Sequence, residues 1–296
     1  MCSSDLWAAA FMDVDLDGLE DVLIANGFSL DTLNIDSKNR VAAIQKATKL
    51  PTAELKRLRK HRPAWPTANA AFRNLGGLRF APASDDWGFD HKGISYGMAL
   101  ADLDNDGDQD VYVGRKYGYN WFFENQTLTG SAGNVTYHSN PNPIFIEKAV
   151  QLGIADFEVN EIGSMGYGAA WGDYDNDQDF DLYLANWGVN RLYENEDNTF
   201  TNVADVQYVE SEELSNGVSW GDYNNDGYID LFVANSSNEN NFLYQNNGDG
   251  TFTKIESGYI VNDGGNSGGA SFADYNNDGF IDLLDRKSTR LNSSHW

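Results

Sequence analysis

The sequence predicts an all-β chain: a β-propeller fragment of four-stranded blades, about four complete and one partial, with a helical insert at about residues 30–66. Three observations carry that expectation. A nine-residue acidic cassette recurs five times in 296 residues, starting at Asp13, Asp102, Asp173, Asp222 and Asp274. The last three copies are spaced by 49 and 52 residues, a period that belongs to propellers and solenoids. Each cassette runs into branched and aromatic residues, as in Asp181-Leu-Tyr-Leu-Ala and Asp230-Leu-Phe-Val-Ala, types that fit a pleated, buried surface.

The repeating unit starts with a strand of small residues, Gly168-Ala-Ala-Trp-Gly172 or Gly217-Val-Ser-Trp-Gly221. The acidic loop and a second, apolar strand follow. A third segment runs between two asparagines, Asn190 to Asn195 and Asn241 to Asn246, and a turn such as Asn247-Gly-Asp-Gly250 leads to a short fourth strand at Phe200 or Phe252. Four short strands in roughly fifty residues make a propeller blade. The first two intervals, 89 and 71 residues, keep their third segments at Asn69 to Asn74 and Asn120 to Asn125 and so contain inserts.

In the first insert, Val41, Ile44, Leu55 and Leu58 have helical spacing, with Ser37 or Thr52 as a possible N-cap. It holds nine of the chain's twenty Lys and Arg, including the run Lys56 to Arg62. It reads as a solvated helical lid over an acidic body, with contact to an anionic partner as the alternative. The second insert, 128–143, is polar, ends in Asn-Pro-Asn-Pro and reads as a surface loop. The repeat domain is expected over 7–284. Residues 1–6 and 285–296 stand outside the pattern and are similar to translated adapter sequence, so they read as non-native ends. The lack of a signal peptide then carries no weight, and the sole cysteine, Cys2, offers no disulfide.

The cassette meets the demands of a hard cation, which takes six to eight oxygen ligands in a flexible shell. Side-chain oxygens come from positions 1, 3, 5 and 9, and a backbone carbonyl from position 7. The expected ligands are Asp13, Asp15, Asp17, Leu19 and Asp21; Asp102, Asp104, Asp106, Asp108 and Asp110; and Asp173, Asp175, Asp177, Asp179 and Asp181. The last two loops add Asp222, Asn224, Asp226, Tyr228 and Asp230, then Asp274, Asn276, Asp278, Phe280 and Asp282. Glycine at position 6 permits a sharp turn in four copies; the third has Gln178. An EF-hand would need Glu at position 12, where the chain has Ile24, Val113, Leu184, Val233 and Asp285. Such strings also form ordinary turns, but recurrence in register between matching strands argues for a shared ligand.

These motifs resemble the FG-GAP and VCBS repeat families, which include the β-propeller head of integrin α subunits. The likeness is closer to secreted bacterial repeat proteins and the cartilage acidic protein group, in which G-x-x-x-x-D-Y-D-N-D-G-D-x-D-L recurs with N-x-L-[YF]-x-N behind it. The resemblance implies calcium, up to five ions, on one face of the propeller. Family propellers commonly have seven blades, so an open arc or completion by further sequence is expected. Asn224 and Asn276 each remove one charge from their loops, and Gln178 is the larger departure.

Composition narrows the function. A net charge of −25 repels nucleic acid and anionic membranes, so neither nucleic-acid binding nor direct membrane insertion is expected. The calcium requirement points to an extracellular, periplasmic or cell-surface location. The 8 Trp, 15 Tyr and 16 Phe suit packing between blades; Trp87, Tyr117, Tyr119 and Trp187 lie in connecting loops and are candidates for exposure. His61, His91 and His138 are scattered, and no G-x-S-x-G motif is present. Nearly every clustered aspartate is committed to a loop, and Glu158, Glu161, Glu210, Glu212 and Glu213 have no evident partner. The expected function is binding of a protein or glycan, with adhesion as its setting. A polysaccharide-active hydrolase or lyase on a propeller scaffold stays open, since paired carboxylates can serve as acid and base. So does a structural spacer within a larger surface protein.

Overall fold

The computed structural model describes residues 6–27, 66–116, 118–131, 134–138, 144–156, 166–204, 209, 214–262, 264–287 and 291–294. All but the last residue of the 30–66 insert, Tyr117 and the five glutamates named above lie outside them. Four antiparallel four-stranded sheets and one three-stranded sheet follow one another along the chain. Blade I comprises Leu6–Met12, Asp21–Asn26, Ala70–Asn74 and Phe80–Pro82, and blade II Ser95–Ala101, Asp110–Arg115, Trp121–Asn125 and Phe145–Glu147. Blade III comprises Gly166–Gly172, Asp181–Asn186, Arg191–Glu196 and Thr199–Asn202, and blade IV Ser215–Gly221, Asp230–Asn235, Phe242–Asn246 and Phe252–Lys254. Blade V pairs Ser267–Ala273 with Asp282–Lys287, which also pairs with Leu291–Ser294.

Burial explains the composition of each strand. The second strands of blades III and IV are buried along their whole length, because neighbouring blades cover both faces. Apolar runs without alternation result. The residue at position 2 of each loop packs on an aromatic or leucine of the following blade. Val14 shares a core with Leu100, and Leu103 with Trp171. Tyr174 lies parallel to Trp220 at 6.3 Å, and Tyr223 joins Phe272. At the two ends of this series Phe11 is 62% and Tyr275 63% exposed.

The small residues of the first strands permit backbone contact between blades. A Cβ on Gly97 would lie 2.6 Å from Tyr167 O, one on Gly168 2.9 Å from Asn216 O, and one on Gly217 2.7 Å from Gly269 Cα. Each first strand also slips register near this point, as between Ser215 and Gly217, a bulge that turns the strand toward its neighbour. The paired asparagines of the third strand have separate tasks. The first one closes the second strand: Asn69, Asn120, Asn190 and Asn241 accept the amides of Asn26, Arg115, Asn186 and Asn235 at 3.1, 2.8, 2.7 and 2.9 Å. The last one reaches the acidic loops.

Three regions differ from the sequence reading. Residues 285–287 and 291–294, expected outside the repeat domain, form strands of blade V, with Asp285 buried and accepting a hydrogen bond from Ser267 Oγ at 2.8 Å. Where 128–143 reads as a plain surface loop, Leu128–Ser131 pairs antiparallel with Asn134–Tyr137. The hairpin's Thr, Val and Tyr residues favour strand, and its second strand is exposed throughout. Trp87, a candidate for exposure, is buried beside Phe89 and Phe123 in the core between blades I and II. It sits at the end of a single helical turn, Ser84–Trp87, that folds it inward.

Gly97→Ala is expected to lower the unfolding free energy by about 1–3 kcal/mol, the usual cost of overpacking. Urea denaturation measures it; an unchanged midpoint would show that blades II and III can move apart at this contact.

Candidate metal centre

All five loops share one hydrogen-bond scheme. The position-1 carboxylate takes two backbone amides: Asp13 accepts Asp17 N at 3.0 Å and Gly18 N at 2.8 Å. Asp102, Asp173, Asp222 and Asp274 do the same with the amides four and five residues on. The position-5 aspartate accepts the amide of position 7, as in Leu19 N to Asp17 Oδ1 at 2.9 Å. Position 6 has φ of +88° at Gly18, +103° at Gly107, +92° at Gly227 and +88° at Gly279, and Gln178 matches them at +82°. Position 4 is also left-handed, at Leu16, Asn105, Asn176, Asn225 and Asn277. Four asparagines there were the legible signal, since Asn tolerates this region best after Gly.

The position-9 aspartate is a buried tie. Asp181 Oδ2 accepts Tyr174 N at 3.1 Å and its Oδ1 accepts Asn195 N at 2.9 Å. Asp21, Asp110 and Asp230 bind the equivalent pairs, Val14 and Asn74, Leu103 and Asn125, and Tyr223 and Asn246. Burial raises these carboxyls against the lowering effect of the two amides. Asp21 rises to about 6, Asp230 to about 7 and Asp181 to about 8, and Asp110 goes well above its ordinary value. Asp104 and Asp175 rise to about 6 through burial and the neighbouring carboxylates.

The closing asparagines join the loops of successive blades. Asn125 Nδ2 donates to Val14 O at 3.0 Å, and Asn246 Nδ2 to Tyr174 O at 2.7 Å. Asn195 instead donates to Phe180 O of its own loop at 3.2 Å.

Carboxylate oxygens converge within 4.8 Å of one another in three groups: Asp13, Asp15 and Asp17; Asp102, Asp104 and Asp106; and Asp173, Asp175 and Asp181. In the fourth and fifth loops the position-3 amide donates to its position-5 neighbour, Asn224 to Asp226 at 2.8 Å and Asn276 to Asp278 at 3.0 Å. Two position-7 side chains turn elsewhere. Asp108 Oδ2 accepts Leu128 N and Asp179 Oδ2 accepts Asp197 N, so only their carbonyls remain for a ligand role. Asp106 is 3% exposed, and its Oδ2 has no hydrogen-bond donor among the described residues; Asp15 Oδ1 has none either, but the charge of that carboxylate is met by Arg73 on Oδ2. An all-oxygen donor set with buried acceptors left open fits a hard divalent cation. The sequence missed the groups standing over these loops: Arg73 pairs with Asp15, and Glu194 accepts the Tyr174 hydroxyl at 2.6 Å.

Of the two described histidines, His138 lines a cavity with Asp15, Asp17 and Arg73, and His91 lies apart. His91 packs edge-on to Trp121 and Phe123, and His138 Nε2 meets Thr129 Oγ1 at 2.7 Å. At the end of the first strands away from the loops, Tyr96, Tyr167 and Trp187 form a continuous stack, with centroids 4.2 and 4.6 Å apart.

The raised carboxyls fix the pH response of the metal-free protein. They hold protons that the unfolded chain releases from about pH 4, so stability falls as pH rises through their folded values. In EDTA the melting temperature is expected to drop between about pH 5 and about pH 8; a flat or rising profile would show these groups ionised throughout.

Residues 173–233 and 222–284 match the family described as FG-GAP-like repeat. Both matches begin on the first aspartate of a cassette. No curated protein matches the chain. A solved lectin structure from Agrocybe aegerita, described as recognising non-reducing terminal N-acetylglucosamine, matches at 14% identity with a TM-score of 0.42, covering 95% of this chain and 60% of that one. The chain therefore spans 60% of the lectin's length. Across residues 173–284 the chain thus carries two consecutive FG-GAP-like repeats.

Proposed function

We propose that the chain is a calcium-loaded β-propeller module that binds a protein or glycan ligand outside the cytosol. The observation that carries the calcium reading is the shared loop geometry, with carboxylates converging on one point and Asp106 Oδ2 buried without a donor. Asp102, Asp104 and Asp106, with the Asp108 carbonyl, would hold the ion in blade II, and the matching residues would do so in blades III to V. A bound divalent ion supplies the positive charge that these crowded carboxylates lack. At a Kd of about 0.1 mM, typical of extracellular modules, about 1 mM calcium stabilises the fold by about 1.4 kcal/mol per site. At sub-micromolar concentrations the same sites stay empty, which favours a working location outside the cytosol. Binding rather than catalysis is favoured by the packing of His91 edge-on against Trp121 and Phe123, away from the acidic loops. The Tyr96, Tyr167 and Trp187 stack joins neighbouring blades at the end away from the loops, with Tyr96 buried and Tyr167 and Trp187 partly exposed. Among the described residues no helix is long and apolar enough to cross a membrane.

Titration calorimetry with calcium, paired with protein and glycan arrays probed with and without EDTA, tests the reading. Saturable heats and calcium-dependent capture are expected. Absence of any calcium heat would sink it, and calcium-dependent cleavage of an arrayed polysaccharide would replace binding by catalysis. In the third loop, relief of the left-handed strain at Gln178 is worth about 1 kcal/mol. Because Gln178 already holds the left-handed turn in the free loop, the strain cancels from calcium affinity, and Gln178→Gly is expected to raise the unfolding free energy by about 1 kcal/mol; an unchanged urea midpoint would show that the position bears no strain.

A further inference from the structure

One position in each blade faces the acidic loop from the third strand. Phe72, Phe123, Tyr193 and Tyr244 pair with Val22, Val111, Leu182 and Leu231. The next residues, Arg73, Glu124, Glu194 and Gln245, are thus equivalent. Glu124 bears on Asp104 and Asp106, and Glu194 on Asp175, in each case as a further negative charge. Blade I reverses the sign. Arg73 uses Nε and Nη2 on the same oxygen, Oδ2 of Asp15. Asp15 is the middle member of the Asp13, Asp15 and Asp17 group and is 8% exposed. The guanidinium also feels the charges of Asp17 and Asp21.

We propose that Arg73 is the resident cation of the first loop, so that this loop takes up no calcium and the metal is confined to the later blades. A calcium ion and a guanidinium compete for the same carboxylate. The tethered cation needs no ligand from solution, and its charge repels a divalent ion arriving at the same point. Guanidinium–carboxylate pairing is a strong, charge-assisted contact, and Arg73 is delivered to it by a strand paired on both sides. The inference rests on the calcium reading of the other loops.

Equilibrium dialysis against calcium-45 counts the bound ions in the full chain. The wild type is expected to hold at most four, and a count of five would overturn the proposal. Arg73→Gln should gain one equivalent, Arg73→Lys none, and adding Asp15→Asn to Arg73→Gln should return the count to that of the wild type. A folded Arg73→Gln protein, checked by circular dichroism, that gains no ion would also overturn it. Should that variant fail to fold, the wild-type count decides. Asp104→Asn separates the two readings: no bound calcium in the wild type, with no change in this variant, removes calcium from the later loops. Arg73→Gln would still decide the role of Arg73.

Discussion

A buried carboxylate closing each acidic loop is the constraint on which the blades depend. Asp21, Asp181 and Asp230 are fully buried at the start of their second strands, and Asp110 nearly so. Each holds the second residue of its loop and the final asparagine of its third strand through backbone amides. Two amides cannot replace the water that such an anion has lost, and burial dominates its protonation. The fold therefore carries several charges that it can keep only protonated or compensated. The loop curvature, the register of the third strand and the demand for a cation all trace to this placement.

Compensation is distributed unevenly. In blade I it comes from Arg73 on Asp15, while in blades II and III a glutamate on the third strand adds to the negative charge. Blades IV and V lower the demand by replacing the position-3 aspartate with Asn224 and Asn276, whose amides bond the neighbouring carboxylate. Five cassettes that read alike along the chain are electrostatically distinct once neighbouring strands are in place.

Much of the fold was legible because it obeys local rules. The cassette period located the blades, position 12 removed the EF-hand, and the position-6 glycines foretold a left-handed turn that Gln178 also adopts. The asparagine pairs were legible as a motif, but their roles emerge only when the third strand lies against the second. What was hidden depends on distance along the chain. Arg73 meets a carboxylate 58 residues away, Trp87 is drawn inward by a one-turn helix, and Asp108 turns to a hairpin whose polar sequence resembled a loop. Asp179 likewise turns its Oδ2 to the amide of Asp197, 18 residues on.

The asparagine struts have a mechanical consequence. Asn125 and Asn246 fasten their blades to the loop of the blade before, whereas Asn195 turns back to Phe180 of its own loop. Blades II and III are held instead by Leu103 packed with Trp171 beside the loop and by Tyr96 stacked on Tyr167 at the opposite end of the first strands. This joint therefore relies on apolar packing at the place where the I–II and III–IV joints use a directional hydrogen bond.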